Sequence, residues 1–291
     1  MSRWDGKSRG SVLGYKIFLF SFRILGLKGA YLILWFVTYY YFLFAAEPRR
    51  HIMAFYQKAL GFERGFAKKL TRKNFYVFGQ TLLDRTAFLL GKDKQFTHSF
   101  SNEEVLKGMV ADGKGGILIS AHLGNWETAG NLLKHRVTSN INVVMIDAEV
   151  QKIKQYLDST TGGSRFNIIP IREDMSHAVK IYQALKKNEF VAIHGDRFVE
   201  GSKTIELDFL GRKAHFPYGP FVVASKYNSP VTFVFAVKEG KFHYALSATV
   251  PIKDKCTPEE IASKYVGELE RMVKKHPEQW FNYFDYYQHA G

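Results

Sequence analysis

The residues best suited to chemistry are a histidine and an acid five positions apart, His122 and Glu127, in the segment His-Leu-Gly-Asn-Trp-Glu. A carboxylate at that distance across a tight turn can reach one imidazole nitrogen and set its tautomer, so that the other nitrogen accepts a proton. Such a pair is a general base for a hydroxyl group. The same spacing also suits an ordinary polar contact, so the rest of the chain must decide between the two interpretations.

The residues around this pair predict that it lies at the end of a strand. An apolar, β-branched run over 116–121 ends at His122, and a Gly-Asn turn signal leads into helix-compatible sequence over 126–134. Open α/β sheets bind their ligands beyond the carboxyl ends of the strands. We therefore expect His122 at the active-site edge of such a sheet.

Strand-like and helical patterns alternate along the rest of the chain. Strands are predicted at 117–121, 142–146, 166–171, 190–194, 205–210, 231–237 and 243–249. Helices are predicted at 103–111, 126–134, 149–160, 174–187 and 221–227, with a last one opened by a capping box at Thr257. This alternation predicts an α/β fold with a mostly parallel central sheet wrapped by helices.

Two apolar stretches precede the α/β region. Residues 29–46 carry no charge, and residues 12–27 carry two. Roughly 18 uncharged residues is near the lower limit for crossing a bilayer core. Tyrosines at 39–41 favour a membrane helix over a buried core helix, because phenol rings collect at the membrane–water interface. The sequence thus predicts N-terminal membrane-anchoring helices over 1–46 and a catalytic domain over 47–291.

The charge balance points to an acidic partner. The chain has 41 Lys and Arg against 27 Asp and Glu, a formal net charge of +14. Nucleic acid, anionic lipid and an acidic carrier protein all fit that charge. Basic residues interleaved with aromatic ones between 49 and 85 favour an anionic membrane surface. A single cysteine, Cys256, excludes an intramolecular disulfide and cysteine-based zinc sites.

Further candidate residues follow predicted strands or turns. Arg165 comes after a Gly-Gly-Ser turn, and Asp196 and Arg197 close the strand at 190–194. A planar, permanently charged guanidinium suits a phosphate or a carboxylate, although Asp196 could simply pair with Arg197. With Asn125 of the turn, these three are the predicted substrate-binding residues. No set of metal ligands is predicted.

The ordered set of motifs resembles the lipid A late acyltransferases, the lauroyl and myristoyl transferases of the lysophospholipid acyltransferase superfamily. The matching elements are the N-terminal anchor, His-x-Gly-Asn-Trp-Glu at 122–127, Gly-Asp-Arg at 195–197, Phe-Pro-x-Gly-Pro at 216–220 and His-Pro-Glu-Gln-Trp at 276–280. The resemblance implies that His122 is the general base and that Glu127 orients it. It also implies that Arg165 and Arg197 contact a phosphate or the thioester region, with Asp196 in support.

The resemblance implies a reaction as well. A fatty acyl chain would move from acyl-carrier protein or CoA to a hydroxyl of a lipid A precursor, without an acyl-enzyme and without a metal or redox cofactor. A basic surface favours the acidic carrier protein as donor. The expected partners are this carrier, a membrane lipid acceptor and an anionic membrane surface, but no nucleic acid. The expected location is the cytoplasmic face of a bacterial inner membrane.

Two alternatives stay open at this point. The family typically carries a basic stretch where this chain has Asn-Tyr-Phe-Asp-Tyr-Tyr at 282–287, so the acceptor could be a lysophospholipid, an aminolipid or a polyene pigment lipid. Gly-Asn at 124–125 and Gly-Asp at 195–196 faintly resemble a metal-dependent phosphoesterase. That class needs a histidine ligand where this chain has Trp126.

Overall fold

The computed structural model describes residues 12–133, 137–146, 167–172, 174 and 176–287. Its helices are α1 (Val12–Phe44), α2 (Ala46–Lys58), α3 (Arg64–Leu89), α4 (Glu103–Ala111), α5 (Trp126–Leu133), α6 (Ser176–Lys186), α7 (Gly219–Lys226) and α8 (Pro258–Lys275). Its strands are β1 (Thr97–Ser101), β2 (Gly116–Ser120), β3 (Ile141–Ile146), β4 (Asn167–Ile171), β5 (Phe190–His194), β6 (Thr204–Phe209), β7 (Arg212–Pro217), β8 (Val231–Lys238) and β9 (His243–Ala248). The predicted helix over 149–160 lies outside the described residues.

Within the described ranges, seven strands form one sheet in the order β1-β9-β8-β2-β5-β3-β4. Its neighbouring pairs run parallel except β8 and β9, which run antiparallel. The α/β prediction with a mostly parallel sheet is therefore confirmed. Strand β2 lies in the middle, and each of its residues is buried, as expected for a parallel strand covered on both faces.

Strand prediction differed from the structure at the edges. The predicted strand at 205–210 pairs with β7 in an antiparallel hairpin separate from the central sheet. Neither β7 nor the edge strand β1 was predicted. In β1, Thr-His-Ser-Phe-Ser, half-buried and exposed residues alternate, so this strand has no continuous apolar run that would mark it.

Helix α1 joins both predicted apolar stretches and has a non-helical residue at Gly26, whose φ is 65°. From Ile24 to Phe44 it is long and apolar enough to cross a membrane, the one such segment among the described residues. One of its faces is buried and shares a core cluster with Tyr244 of β9. Its opposite face is exposed: Leu32, Trp35, Phe36, Tyr39, Tyr40, Leu43 and Phe44.

Close packing fastens α1 to α3. A Cβ at Gly79 of α3 would come 2.3 Å from Cδ1 of Leu34, so the glycine lets the two helices approach. The predicted boundary at residue 46 therefore does not separate two hydrophobic cores. Helix α1 contributes to the same core cluster as α3 and one face of the central sheet.

Candidate active site

The register of two central strands brings the candidate residues together. In the parallel pair of β2 and β5, Ser120 lies opposite His194. His122 comes two residues after Ser120, and Asp196 comes two residues after His194. Both therefore lie at the same carboxyl edge of the sheet. This is the edge at which open α/β sheets place their sites.

His122 and Asp196 form the central contact of the site. Nδ1 of His122 lies 2.9 Å from Oδ1 of Asp196, and the backbone N–H of His122 donates to Oδ2 at 3.0 Å. The Asp196 side chain is fully buried, whereas that of His122 is about one fifth exposed. A carboxylate at Nδ1 places the proton there and the lone pair on Nε2. The orienting position that we predicted for Glu127 is thus held by Asp196.

Glu127 has a partner that the sequence analysis missed. Its carboxylate forms a short ion pair with the guanidinium of Arg85, and both side chains are about one fifth exposed. Glu127 lies in the first turn of α5 and Arg85 lies on α3. The ion pair therefore ties α5, the helix that follows the turn at 122–127, to α3. No sequence pattern connects two residues 42 positions apart on different helices.

Charge keeps Asp196 ionised despite its burial. Burial alone would raise the pKa of this carboxyl, but the adjacent His122 and Arg197 more than offset it and hold the pKa well below its usual range. The ionised carboxylate can stabilise an imidazolium at His122 when that ring takes a proton. The arrangement fits general-base chemistry.

His194 is a second histidine that the sequence analysis did not assign. Its ring packs against the ring of His122 with centroids 4.4 Å apart and an angle of 35° between the planes, and Trp126 packs edge-on against it at 4.9 Å. Burial, and then the charge of His122, lower the pKa of His194 to about 3. His194 is therefore neutral at physiological pH. Its Nδ1 lies 2.9 Å from the hydroxyl of Ser120.

Three groups of this site have the spacing of metal ligands. Nitrogens of His122 and His194 and an oxygen of Asp196 lie within 4.8 Å of one another. However, Nδ1 of His122 and the Asp196 carboxylate are hydrogen bonded to each other, and Nδ1 of His194 is bonded to Ser120. These bonds account for the positions of the three side chains through protein contacts.

The turn after His122 fits tightly against the sheet. Gly124 has a φ of 72°, and a Cβ at this position would come 2.0 Å from the carbonyl oxygen of Ala236. Its N–H donates to the carbonyl of Gln279 at 3.0 Å, and the N–H of Phe281 donates to the carbonyl of His122 at 3.3 Å. The segment at 279–281 thus packs against the turn at 122–127.

The remaining predicted site residues have different surroundings. Asn125 is buried, and its amide group bonds Thr81, Tyr244 and the N–H of Thr128, so it holds the turn instead of facing a substrate. Arg197 donates to the carbonyl of Phe281 at 2.5 Å, and this bond holds the arginine against the segment at 279–287. Its Nε lies 3.9 Å from Oδ2 of Asp196. Arg165 lies outside the described residues.

Residues of the turn at 122–127 form part of the wall of an apolar cavity. Its walls come from α5 and from strands of the central sheet, and the described lining residues carry no charge: Phe100, Leu118, Ser120, Ala121, Leu123, Trp126, Ala129, Gly130, Ile141, Val143, Ala192, Val234, Phe235, Ala236, Leu246 and Ser247. Residues on both sides of His122 contribute to the wall. An apolar group that enters the cavity would meet no charged side chain among the described lining residues.

Comparison with known proteins identifies a family for this chain. The family model for the bacterial lipid A biosynthesis acyltransferases matches residues 10–284. A search of curated proteins finds no match to the chain. The matched region covers the N-terminal helix, the whole described sheet and the His122–Asp196 pair. This chain belongs to the bacterial lipid A biosynthesis acyltransferase family.

Proposed function

We propose that this chain moves a fatty acyl group from an acyl thioester to a hydroxyl of a membrane lipid, with His122 as general base and Asp196 as its orienting acid. The observation that carries the proposal is the contact between Nδ1 of His122 and Oδ1 of Asp196, 2.9 Å long, beside a cavity whose described lining residues are uncharged. The cavity suits the acyl chain, and the pair suits activation of the hydroxyl.

The reaction follows from the protonation state of His122. Nε2 removes the proton of the acceptor hydroxyl as its oxygen bonds to the thioester carbon, and Asp196 stabilises the imidazolium. The tetrahedral intermediate collapses with cleavage of the carbon–sulfur bond. The imidazolium then returns its proton to the leaving thiolate, so each transfer releases one thiol and forms one ester.

We propose a lipid A precursor or a related hydroxylated lipid as acceptor. The lack of Lys and Arg at 282–287 is not evidence against a phosphorylated acceptor, because Tyr286 is buried and its hydroxyl donates to the carbonyl of Asp196, and the hydroxyl of Tyr287 donates to the carbonyl of Phe209. These positions serve packing. Lipid mass spectrometry of a deletion strain tests the proposal: one acyl chain should be missing from such a lipid, and an unchanged lipid profile would contradict it.

We propose acyl-carrier protein as the donor. Lys68 and Lys69 are exposed on α3, whereas Lys73 pairs with Glu278 at 3.0 Å and Arg72 packs over the ring of Phe42. Lys68 and Lys69 are therefore an adjacent pair of exposed cations through which this helix would meet an acidic protein. Electrostatic attraction of this kind acts mainly on the association rate.

Reversing these two charges is expected to separate the donors. Lys68→Glu with Lys69→Glu should lower kcat/KM for acyl-carrier protein far more than for acyl-CoA, because only the larger donor reaches a surface away from the active site. The same reversal at Lys180 and Lys187, which are exposed elsewhere, is the matched control. Equal effects on both donors would contradict the assignment.

We propose that transfer needs no bound metal. Activity should persist in excess chelator, because His122, Asp196 and His194 are each positioned by protein hydrogen bonds. The measurement is turnover before and after chelation. Loss of activity with recovery on addition of Mn²⁺ or Zn²⁺ would instead favour a metal-dependent enzyme.

We propose that the exposed face of α1 binds the cytoplasmic face of a bacterial inner membrane. The other face packs against α3, so α1 offers lipid one side only. At its C-terminal end, Arg49 donates to the carbonyls of Phe42 and Leu43 and, like Arg72, lies over the Phe42 ring. These cations lie at the end of α1 that carries the exposed Tyr40, Tyr41 and Phe44, and this placement suits the level of the lipid phosphates.

Membrane extraction tests this orientation. Full-length protein should resist high salt and need detergent, because salt screens charge but not apolar burial. Replacing Trp35, Phe36 and Phe44 by Gln should allow release by salt. Each large apolar side chain that is buried in lipid contributes about 1.5–3 kcal/mol to the free energy of membrane binding.

The matched control replaces three apolar residues that are exposed far from α1, namely Val179, Tyr182 and Val250. These variants should still need detergent. If the α1 variants behave like the controls, another part of the chain holds the membrane.

A further inference from the structure

A cluster of buried polar groups lies beside the catalytic turn, and the proposed reaction does not use it. Nζ of Lys238 lies 2.6 Å from Oδ2 of Asp84, and the hydroxyls of Tyr31 and Tyr244 both donate to the same carboxylate. All four side chains are less than one tenth exposed. We call these four residues the Asp84 cluster.

The cluster joins four separate elements. Tyr31 belongs to α1, Asp84 to α3, Lys238 to β8 and Tyr244 to β9. A contribution to the stability of the fold does not explain why these positions are polar, because well-packed apolar residues often replace a buried ion pair without loss of stability. Fully bonded polar clusters do fix one arrangement of the elements they connect.

One link runs from the cluster to the catalytic turn through Asn125. The Asn125 amide donates to the Tyr244 hydroxyl at 3.2 Å and to the carbonyl of Thr81 at 3.3 Å. Its oxygen accepts the N–H of Thr128 at 3.3 Å, in the first turn of α5. Asn125 lies three residues after His122, so its position sets the course of the turn.

A second link runs through Gln279. The side chain of Gln279 bonds both the N–H and the carbonyl of Lys238, at 2.8 and 2.9 Å. The carbonyl of Gln279 accepts the N–H of Gly124 at 3.0 Å. The cluster therefore reaches the turn from two sides.

We infer that Asp84, Lys238 and Tyr244 are positioning residues that hold the 122–127 turn through Asn125, and that Tyr31 makes this alignment depend on the docking of α1. This inference rests on the proposed acyl-transfer function. None of the four residues needs to touch a substrate. Their effect on the reaction comes from the placement of His122 relative to the bound thioester.

Removing the Tyr244 hydroxyl tests the inference. Tyr244→Phe should lower kcat about 10- to 100-fold, because small displacements of a catalytic group have effects of that size. KM for the acyl donor should change much less than kcat, since only Leu123 and Trp126 of the turn line the cavity. Tyr227→Phe is the matched control, because its hydroxyl bonds the carbonyl of Ala178 at 3.1 Å, away from the turn.

Hydrogen exchange gives a readout that does not need activity. The N–H groups of Gly124 and Asn125 bond the carbonyls of Gln279 and Ala236 at 3.0 and 2.8 Å. In Tyr244→Phe they should exchange faster, while exchange within α8 stays as in the wild type. Tyr31→Phe should give the same local pattern.

A second variant guards against simple misfolding. Asp84→Asn combined with Lys238→Met removes both charges together, keeps an acceptor for the tyrosines and should again loosen the turn and lower kcat. Wild-type kcat, wild-type exchange at the turn, or equally faster exchange in α8 would each overturn the inference. If the wild type itself transfers no acyl group, the proposed function fails, and exchange still decides whether the cluster holds the turn.

Discussion

Replacing His122 with alanine is expected to lower kcat for acyl transfer by about 10²-fold or more, because loss of a general base typically has effects of 10²–10⁴. The fold and membrane attachment should remain. The measurement is turnover of the purified variant with acyl donor and lipid acceptor.

His215→Ala is the matched control for this substitution. The side chain of His215 has the same exposed fraction as that of His122, about one fifth, and lies on the β6–β7 hairpin. It should turn over like the wild type. Near wild-type turnover of His122→Ala would rule out the proposed mechanism.

Replacing Asp196 with asparagine is expected to lower kcat about 10²- to 10⁴-fold, with a fold that stays intact. The amide has the same shape and can still bond the N–H groups of His122, but it lacks the charge that stabilises the imidazolium. It can also present its NH₂ group to Nδ1 and so favour the wrong tautomer.

Glu127→Gln is the informative comparison for Asp196→Asn. We first assigned the orienting role to Glu127, whereas in the structure Asp196 occupies Nδ1 of His122 and Glu127 pairs with Arg85. Glu127→Gln should therefore be impaired less than Asp196→Asn. The reverse order would return the orienting role to Glu127.

The sequence was sufficient to predict the central strands but not the edges of the sheet. Strands β2 and β5 are apolar because helices cover both of their faces, and such runs are visible without a structure. Four of the five residues of the edge strand β1 are polar, and β7 belongs to a separate hairpin, so neither carries that signal.

The position of His122 at the end of a central strand could be predicted from sequence, but its contact with Asp196 could not. A strand ending in a histidine and a turn is a local pattern, and Glu127 was the nearest acid in it. Asp196 is 74 residues from His122, and the two meet because Ser120 of β2 lies opposite His194 of β5. Strand register is a tertiary property that spacing along the chain does not contain.

Helix α1 shows a similar limit of sequence reasoning. Hydropathy records how apolar a segment is, but not which of its sides meets protein. Leu34 packs against α3 while Phe36 is exposed, so the same helix contributes to the core and offers an apolar surface. Tyr31 also brings a polar contact to Asp84 that the prediction of an anchor did not include.

The central claim is a direct transfer from thioester to lipid hydroxyl, without an acyl-enzyme. Ser120 makes this testable, since its hydroxyl lies 2.9 Å from a ring nitrogen of His194 and lines the cavity proposed for the acyl chain. Burial lowers the pKa of His194 to about 3, which makes this ring a weak base for activating that serine. The decisive measurement is the intact mass of the enzyme incubated with acyl donor alone. We expect the unmodified mass, and acyl-lipid on addition of acceptor. An enzyme heavier by one acyl chain, which then passes to the acceptor, would contradict the account.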